Sequence, residues 1–484
     1  MLKGTTKIEL TDVATGETEV IEKHNTITGA LQEIFNPTLG HLTSEATLLS
    51  NLPAYTTLLG GLLLFDGRIE GDPLPLFAPD NVKLVGCARY NYANTLGTIY
   101  MGSYDVNESV LSPQDKMAKL VYNFTQSQGN GTINSICLTH RNGGAGVYRS
   151  DFTFKSLATR LANTVYASPT NKITRNSRDR SVSFTAYGTN EYLFLVDVDN
   201  DVAYYFRATA ANTLVIVKRR MGLKQFSVFG NNADIISETT INLTTNLNTT
   251  NNTYNFDQDD NALYIMSASS ATVNAGGSFT VTKIMLNGTG ATQYTLTNKH
   301  TAAVYITTGY VHRGKLYMTT GGTSTTMNGK TVYNYRVVRH PLDGGAATTH
   351  GNVSNSGTSV AIPRPMYAAD GRMFWQGYFD TPSGAGGLQV TDGNATPDDS
   401  NTTTCGVDVL EYSPVNSSNY PVTCTQVLNH PMLQYLSAHN SGGGIFTEGF
   451  YFLSHYLGTV NNLATPIVKA PTQTMKITYT IQEV

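Results

Sequence analysis

The sequence has few charged residues. Asp, Glu, Lys and Arg make up 14% of the 484 residues, against roughly 25% in a typical soluble domain. With a formal net charge of -3, the chain has no excess of basic residues to bind nucleic acid. Its polar surface must come from Thr, Asn, Ser, Gly and Tyr, which favour strands and the tight turns between them. The composition therefore predicts an all-β protein that does not bind nucleic acid.

Cysteine is also scarce. The four cysteines are far apart and show no CxxC spacing, which is the spacing typical of metal and redox sites. Their strand-like surroundings favour buried free thiols, and a Cys405–Cys424 bridge is the alternative. Free thiols suit folding in a reducing cytoplasm. The four are Cys87, Cys137, Cys405 and Cys424.

Long hydrophobic runs are absent as well. The longest apolar stretch, residues 58–65, is far shorter than the roughly 20 residues that span a bilayer. The N-terminal sequence MLKGTTKIELTDV lacks the apolar run of a signal peptide. We therefore expect synthesis in the cytoplasm and no membrane insertion.

The two ends of the chain carry strand patterns. Residues 5–23 alternate around a turn that contains Gly16, as in a β-hairpin, and residues 28–35 have the spacing of a short helix. Residues 472–484 alternate again, with Met475, Ile477, Tyr479 and Ile481 on one face. We infer that this last strand pairs with the opening hairpin. The predicted divisions are a hairpin-helix attachment region over residues 1–80, and a linker with the C-terminal strand over residues 464–484.

A degenerate repeat occupies the region between the ends. A turn rich in Gly, Asn or Asp is followed by an apolar pair and then by a second strand. The pairs are Tyr192-Leu193, Leu263-Tyr264, Leu316-Tyr317, Met373-Phe374 and Phe450-Tyr451. Together with earlier strand groups, the repeat predicts a propeller-like body over residues 81–463, with roughly six to seven blades. An irregular array of β-sandwiches is the alternative.

Three stretches of the sequence resemble one family of proteins. They are residues 3–37 (KGTTKIELTDVATGETEVIEKHNTITGALQEIFNP), residues 60–73 with 119–140, and residues 469–484 (KAPTQTMKITYTIQEV). They are similar to tail fibre and baseplate-type virion proteins from phages and prophages of Firmicutes, in which such segments frame a variable body. The resemblance implies a place in the virion tail, after synthesis in the host cytoplasm. It also implies contacts with other tail or baseplate subunits, and it carries over no catalytic motif.

Acidic turns are the first candidates for a ligand site. In residues 197–201 (DVDND), carboxylates occupy positions one, three and five of a calcium-loop pattern. Positions six and twelve of that pattern require Gly and Glu, whereas this chain has Val202 and Ala208. Residues 257–261 (DQDDN) form a similar run. Both runs predict hairpin turns whose acids satisfy local backbone groups, with a calcium ion at a blade edge as the alternative. We assign no metal site.

Catalytic signatures are missing from the sequence. It contains no GxSxG, SxxK or HExxH pattern, and its ten histidines are dispersed. We therefore expect no enzymatic activity, no catalytic residue and no cofactor. A glycosidase needs only two suitably spaced carboxylates, so a tail-associated polysaccharide-degrading enzyme is the alternative. The acids in loop-like sequence that could supply such a pair are Asp370, Asp380, Asp392, Asp398 and Asp399.

An aromatic patch is the best candidate for binding a ligand. Trp375, Tyr378 and Phe379 lie beside a glycine-rich loop over residues 381–387. Aromatic faces can stack on sugar rings, although alternate residues of a strand face opposite sides, so that blade core is the alternative. The sequence thus predicts a structural phage tail protein. We expect it to form homo-oligomers, to assemble through its terminal domain and to present a β body to other proteins and to host surface glycans.

Overall fold

The structure is a computed structural model, and nearly all of its described residues lie in strands or in the turns between them. The predicted all-β class is therefore confirmed. The described residues are 2–30, 59–79, 82–95, 99–112, 114–141, 158–160, 181–184, 187–188, 191–220, 235–288, 290–321, 323–327, 330–356, 365–369, 372–376, 388–391, 407–410, 422–431, 433–439, 445–453 and 456–483.

The strands are numbered in chain order. The first nine are β1 (Leu2–Asp12), β2 (Thr18–His24), β3 (Thr26–Ile27), β4 (Gly61–Phe65), β5 (Leu84–Arg89), β6 (Ser103–Tyr104), β7 (Val110–Ser112), β8 (Met117–Phe124) and β9 (Gly131–Thr139). The next eleven are β10 (Ala158–Arg160), β11 (Ser181–Val182), β12 (Tyr192–Asp197), β13 (Val202–Ala210), β14 (Thr213–Arg220), β15 (Ile235–Asn242), β16 (Asn252–Asp257), β17 (Ala262–Ser267), β18 (Thr272–Val273), β19 (Ser278–Met285) and β20 (Ala291–Thr297).

The remaining strands complete the chain. They are β21 (Val304–His312), β22 (Lys315–Thr320), β23 (Thr323–Met327), β24 (Lys330–Pro341), β25 (Thr348–Ser356), β26 (Pro365–Ala369), β27 (Arg372–Gln376), β28 (Leu388–Thr391), β29 (Val407–Leu410), β30 (Val422–Val427), β31 (Leu433–His439), β32 (Ile445–Leu453), β33 (Thr459–Lys469) and β34 (Gln473–Glu483). Of the predicted helix, Gly29 and Ala30 are helical, and residues 31–35 lie outside the described residues.

The chain divides into two compact units. The first unit contains Met1–Thr159, Asp398–Asp408 and Leu453–Val484, and the second contains Arg160–Pro397 and Val409–Phe452. Both ends of the chain therefore belong to the first unit.

The described residues of the first unit include two sheets. One has the order β2-β1-β34-β8-β6, with β7 also paired to β8, and the other has the order β3-β33-β9-β4-β5. Ile8 pairs with Ile477, which pairs in turn with Tyr122, and all three side chains are buried. Such rows arise because alternate residues of neighbouring strands share a face. The row is part of the core between the sheets, where the Tyr122 hydroxyl donates to the Gly60 carbonyl oxygen at 3.2 Å.

The last strand is central to the first sheet. β34 pairs with β1 over its whole length, from Leu2↔Glu483 to Asp12↔Gln473, and with β8 on its other side. The pairing inferred from the alternating pattern at the chain ends is therefore present. Since β34 has a neighbour on both sides, the sheet depends on the last residues of the chain.

Two predicted boundaries differ from the structure. The first unit continues past residue 80 to Thr159, because β8 pairs with β34 and β9 pairs with both β4 and β33. The segment predicted as a linker, from residue 464, is mostly strand, since β33 runs to Lys469. Its pairing with β9 is interrupted between Asn462 and Ile467, and Pro466 falls in that interruption, where no ladder hydrogen bond is required of it.

Five successive groups of strands make up most of the described part of the second unit. The groups are β12-β13-β14-β15, β16-β17-β19-β20, β21-β22-β24-β25, β26-β27-β29 and β30-β31-β32. Among the described strands, β10 pairs with β32. A strand that precedes the first group in the chain therefore forms the outer strand of the last group.

The first strands of the five groups follow each other in a ring. β12 contacts β16, β16 contacts β21, β21 contacts β26, β26 contacts β30, and β30 pairs in parallel with β12. Side chains of neighbouring groups share a core: Phe194 and Phe256 lie in one cluster, and Met266 and Leu316 lie in another. This cyclic order is the arrangement expected of propeller blades.

The number of groups differs from the predicted six to seven blades. The strands between residues 82 and 139, which were expected to form one or two blades, belong to the sheets of the first unit. Among the described strands this leaves five blade-like groups. The spacing of the repeated apolar pairs is irregular because the pairs do not occupy equivalent strands. The three middle pairs lie in the second strands of their groups, whereas Tyr192-Leu193 lies in a first strand and Phe450-Tyr451 in a third.

Candidate functional site

A polar network joins the first strands of four blade-like groups at the centre of the second unit. The Gln426 amide donates to the Tyr310 hydroxyl at 2.9 Å and to the Ala368 carbonyl oxygen at 3.1 Å. The same hydroxyl accepts a hydrogen bond from the Ala368 backbone N–H at 3.0 Å. The Gln258 backbone N–H donates to the Gln426 side-chain oxygen at 3.1 Å. Gln426, Tyr310 and Ala368 are buried, so the network holds the inner strands together in a water-poor environment.

A second amide links adjacent inner strands. The buried Asn255 side chain of β16 accepts a hydrogen bond from the Val311 N–H and donates one to the Val311 carbonyl oxygen, both at 2.8 Å. It thereby takes the place of a neighbouring strand for one residue of β21. This contact fixes the position of β21 along β16, and thus the alignment of the third group with the second.

The acidic turn after β16 contacts the turn after β21. Asp257 accepts a hydrogen bond from the His312 ring Nδ1 at 2.9 Å and one from the Arg313 backbone N–H at 2.8 Å. Asp257 and His312 are 1% and 2% exposed. Asp259 lies on the other side of the ring, 4.0 Å from Nε2, and also pairs with the Arg313 guanidinium. We call Asp257, Asp259, His312 and Arg313 the inter-turn clasp.

The same acidic turn holds a further hydrogen-bonded pair. Asp260 accepts hydrogen bonds from the Tyr264 hydroxyl at 2.7 Å and from the Gly314 backbone N–H at 3.1 Å. Burial of Tyr264, and its hydrogen bond and proximity to Asp260, raise the pKa of this phenol well above its ordinary value. Tyr264 therefore acts as a hydrogen-bond donor and not as a base.

The acidic turn after β12 has a similar contact with the last group. Asp199 lies 3.1 Å from the ring Nε2 of His430, which follows β30 and is buried. Asp197 accepts hydrogen bonds from the backbone N–H and the side-chain amide of Asn200, at 3.0 and 2.8 Å. A histidine–aspartate contact therefore links the last group to the first, and another links the second to the third.

The turns that carry these contacts share a backbone feature. A residue with positive φ ends or occupies each of them, namely Asp201, Asn261, Arg313 and Asn429. Asn and Asp tolerate this left-handed region better than other residues with a side chain. The tight turns then direct the acids and histidines toward the neighbouring group.

The chemistry of these carboxylates is structural. Asp197, Asp257 and Asp260 each accept at least two hydrogen bonds from the chain. Asp197 does so within its own turn, as the sequence predicted, whereas Asp257 and Asp260 also bond to the distant turn after β21. Within the described ranges, no group of three or more His, Cys, Asp or Glu side chains is arranged to hold a metal ion. The arrangement can thus lock neighbouring turns together.

The predicted sugar-binding patch is only partly within the described residues. Trp375 lies in β27, where its backbone pairs with Pro365, but its side chain is not described. Tyr378 and Phe379 lie outside the described residues, as do the five aspartates considered for a glycosidase pair. The patch therefore stays a prediction.

Sequence reasoning missed the histidine–aspartate contacts and Gln426. The two acidic turns were recognised, but each meets its histidine about 55 residues or more than 200 residues away in the chain. The recurrence of turns after each first strand could have predicted these contacts, because turns at equivalent places in neighbouring blades lie near each other. Nothing in the sequence marks Gln426 as a central residue.

The cysteines that are described match their prediction. Cys87 and Cys137 are buried thiols, and burial raises the pKa of the Cys137 thiol far above its ordinary value. Cys137 is therefore a packing residue. The side chains of Cys405 and Cys424 are not among those described.

Comparison with known proteins gives no family. No family model matches the chain, and no curated protein matches it. Among solved structures, one from a study of two prolyl endopeptidases aligns with 85% of this chain and 60% of its own, at 9% identity and a TM-score of 0.22. The polysaccharide lyase Uly1 aligns with 75% of this chain and 78% of its own, at 11% identity and a TM-score of 0.21. TM-scores this low do not indicate a shared fold. Within the described ranges, no helical segment has the length and apolar character needed to cross a membrane.

Proposed function

We propose that this protein is a non-enzymatic structural component of a phage tail, of the fibre or baseplate type. In this proposal the first unit attaches the protein to other tail subunits and to copies of itself. The second unit offers its blade-like groups for contacts with other proteins and with host cell-surface glycans. The setting rests on the resemblance of the chain ends to tail proteins of Firmicutes phages, and the division of labour rests on the fold.

One observation supports this division of labour. The second unit lies between β9 and β33, and these two strands pair with each other, with Leu138 opposite Thr459. Apart from Asp398–Asp408, which belongs to the first unit, the second unit is therefore an insertion between two paired strands. Insertions of this kind can vary without disturbing the host domain. That matches a constant attachment unit that carries a variable body.

The experiment is complementation of a phage that lacks the gene. Ile477 is fully buried in the central strand β34, so Ile477→Asp places an unpaired carboxylate in the core of the first unit. We expect particles without this protein, while the purified variant keeps the β circular dichroism and tyrosine fluorescence of the second unit. Ile477→Val removes one methyl group at the same position and should be incorporated normally.

Two results would count against the proposal. Normal incorporation of the Ile477→Asp variant would show that the first unit is not the attachment unit. Release of soluble sugars from purified host-wall polysaccharide by the intact protein would favour the alternative, a tail-associated polysaccharide-degrading enzyme. Saturable binding to that polysaccharide without release supports the glycan contact.

A further inference from the structure

Strand β2 has an open edge. Within the part of the chain that the structure describes, its sole partner is β1, so the backbone groups on its other side have no strand to bond. Most of its residues are exposed, and the others are half-buried. An edge of this kind is a template for pairing with another strand.

The ladder with β1 determines which backbone groups point outward. The Asp12 N–H donates to the Glu17 carbonyl oxygen at 2.9 Å, and the Asn25 N–H donates to the Gly4 carbonyl oxygen at 3.0 Å. The register between these two pairs is unbroken, and hydrogen-bonded pairs alternate with non-hydrogen-bonded pairs along an antiparallel ladder. The odd-numbered residues of β2 therefore bond to β1. The residues whose N–H and C=O groups point outward are Thr18, Val20, Glu22 and His24.

We propose that β2 pairs antiparallel with β2 of a second copy of this chain, about a two-fold axis at Ile21. In this register Val20 faces Glu22 of the second copy, and Thr18 faces His24. Each of these pairs exchanges two backbone hydrogen bonds, so every outward-pointing group of the strand is satisfied. An axis at Val20 leaves His24 without a partner, and an axis at Glu22 leaves Thr18 without one.

The charges of β2 favour the same register. With the axis at Ile21, Glu19 lies opposite Lys23 of the second copy, and the symmetry repeats that pair on the other side. These are non-hydrogen-bonded pairs, in which the side chains approach most closely. An axis at Glu22 would instead place two carboxylates opposite each other. Hydrogen bonding and charge therefore select one register independently.

The contact is small. A pair of seven-residue strands buries less than the roughly 1,600 Å² of a standard protein interface, so we expect weak self-association of the free protein. It becomes effective where several copies are held close together. The inference extends the proposed function by naming the surface through which copies join, and it holds whether or not the protein belongs to a tail.

A charge exchange on the full-length chain tests the register. Glu19→Lys places Lys opposite Lys23, and Lys23→Glu places Glu opposite Glu19, so each variant should raise the self-dissociation constant about tenfold in sedimentation analysis. The double variant restores opposite charges and should restore the association. Glu22→Gln, which faces Val20, serves as the control and should change little.

A cross-link tests the axis. In the proposed pair the two Ile21 residues lie directly opposite, at a Cα separation near 4.5 Å, which a disulfide can span. Ile21→Cys should form a covalent dimer under mild oxidation, whereas Val13→Cys, in the exposed turn before β2, should not. Three results would overturn the inference. The protein could remain monomeric at all accessible concentrations, the double variant could fail to restore the association, or Ile21→Cys could form no covalent dimer. Incorporation of the same variants into particles tests the proposed function separately.

Discussion

Individual buried polar residues do much to hold the second unit in one arrangement. Glu191 is the clearest case, since its carboxylate contacts the guanidinium of Arg219 at 3.0 and 2.9 Å and that of Arg207 at 2.9 Å. Glu191 and Arg219 are each 8% exposed, and Arg207 also reaches the more exposed Glu238. A carboxylate shared by two guanidinium groups has all its charge compensated, so removing it leaves buried positive charge behind.

We expect Glu191→Gln to destabilise the second unit by roughly 3 kcal/mol, because Arg219 then loses its compensating charge in a buried site. Glu238→Gln removes a partner that is 39% exposed and should cost less than about 1 kcal/mol. Urea denaturation followed by tyrosine fluorescence measures both changes. Equal effects of the two variants would show that the burial of Glu191 does not matter.

His340 makes stability depend on pH. Burial lowers its pKa to about 4, with smaller contributions from His300 and Lys299, while the unfolded chain binds the same proton near pH 6.5. The unfolded state therefore binds more protons between these values, and stability falls as the pH drops from about 6.5 to about 4. The loss should reach at most about 3.5 kcal/mol, since the two pKa values differ by about 2.5 and each pH unit is worth about 1.4 kcal/mol.

His340→Phe should reduce this acid destabilisation, because phenylalanine binds no proton. The new ring can keep the packing against Phe279, which His340 contacts edge-on at 5.9 Å. The measurement is the free energy of unfolding at several pH values for both proteins. An unchanged slope in the variant between pH 6.5 and 4 would contradict the assignment to His340. His140, whose pKa burial lowers to about 3, should contribute a similar slope in the first unit.

Sequence reasoning at this scale succeeded where the environment is local. Asp197, in the turn after β12, accepts hydrogen bonds from Asn200, and residue type and spacing were sufficient to predict that. The partners of Asp257, Asp199 and Gln426 are distant in sequence, and such pairings are set by the fold and not by a local pattern.

Whole strands and turns show the same limit. The period-two alternation of residues 472–484 predicted β34 and its partner, because a long one-sided strand must bury that side. The prolines of the segment before it predict a linker, but the break in the β33–β9 ladder accommodates Pro466. A bulge depends on the partner strand, which the sequence of one strand does not show.

The inter-turn clasp is testable as a unit. Asp257→Asn removes the charge that the His312 ring and the Arg313 N–H share, in a site that is 1% exposed, and should cost about 2 kcal/mol. Asp259→Asn changes a side chain that is 32% exposed and should cost less than about 1 kcal/mol. Differential scanning calorimetry of the second-unit transition gives both values. A larger loss for Asp259→Asn would reverse the order of the two contacts.

For the whole molecule, the fold class was predictable and the arrangement was less so. Low charge with abundant Thr, Tyr, Asn and Gly was enough to predict strands throughout. Strands of residues 82–139, which the sequence predicts to be blades, pair with β33 and β34, which follow more than 300 residues later in the chain. Pairing over that distance has no local sequence signal. The predicted aromatic patch at Trp375, Tyr378 and Phe379 stays a prediction.

We propose that the first unit attaches this protein to neighbouring tail subunits. Cross-linking mass spectrometry of intact particles with a lysine-reactive reagent tests it most directly, because Lys3, Lys7, Lys83 and Lys119 lie in the first unit and Lys218, Lys283 and Lys315 in the second. We predict that cross-links to other virion proteins come mainly from the lysines of the first unit. Cross-links confined to the second unit, or the absence of this chain from purified particles, would contradict the claim.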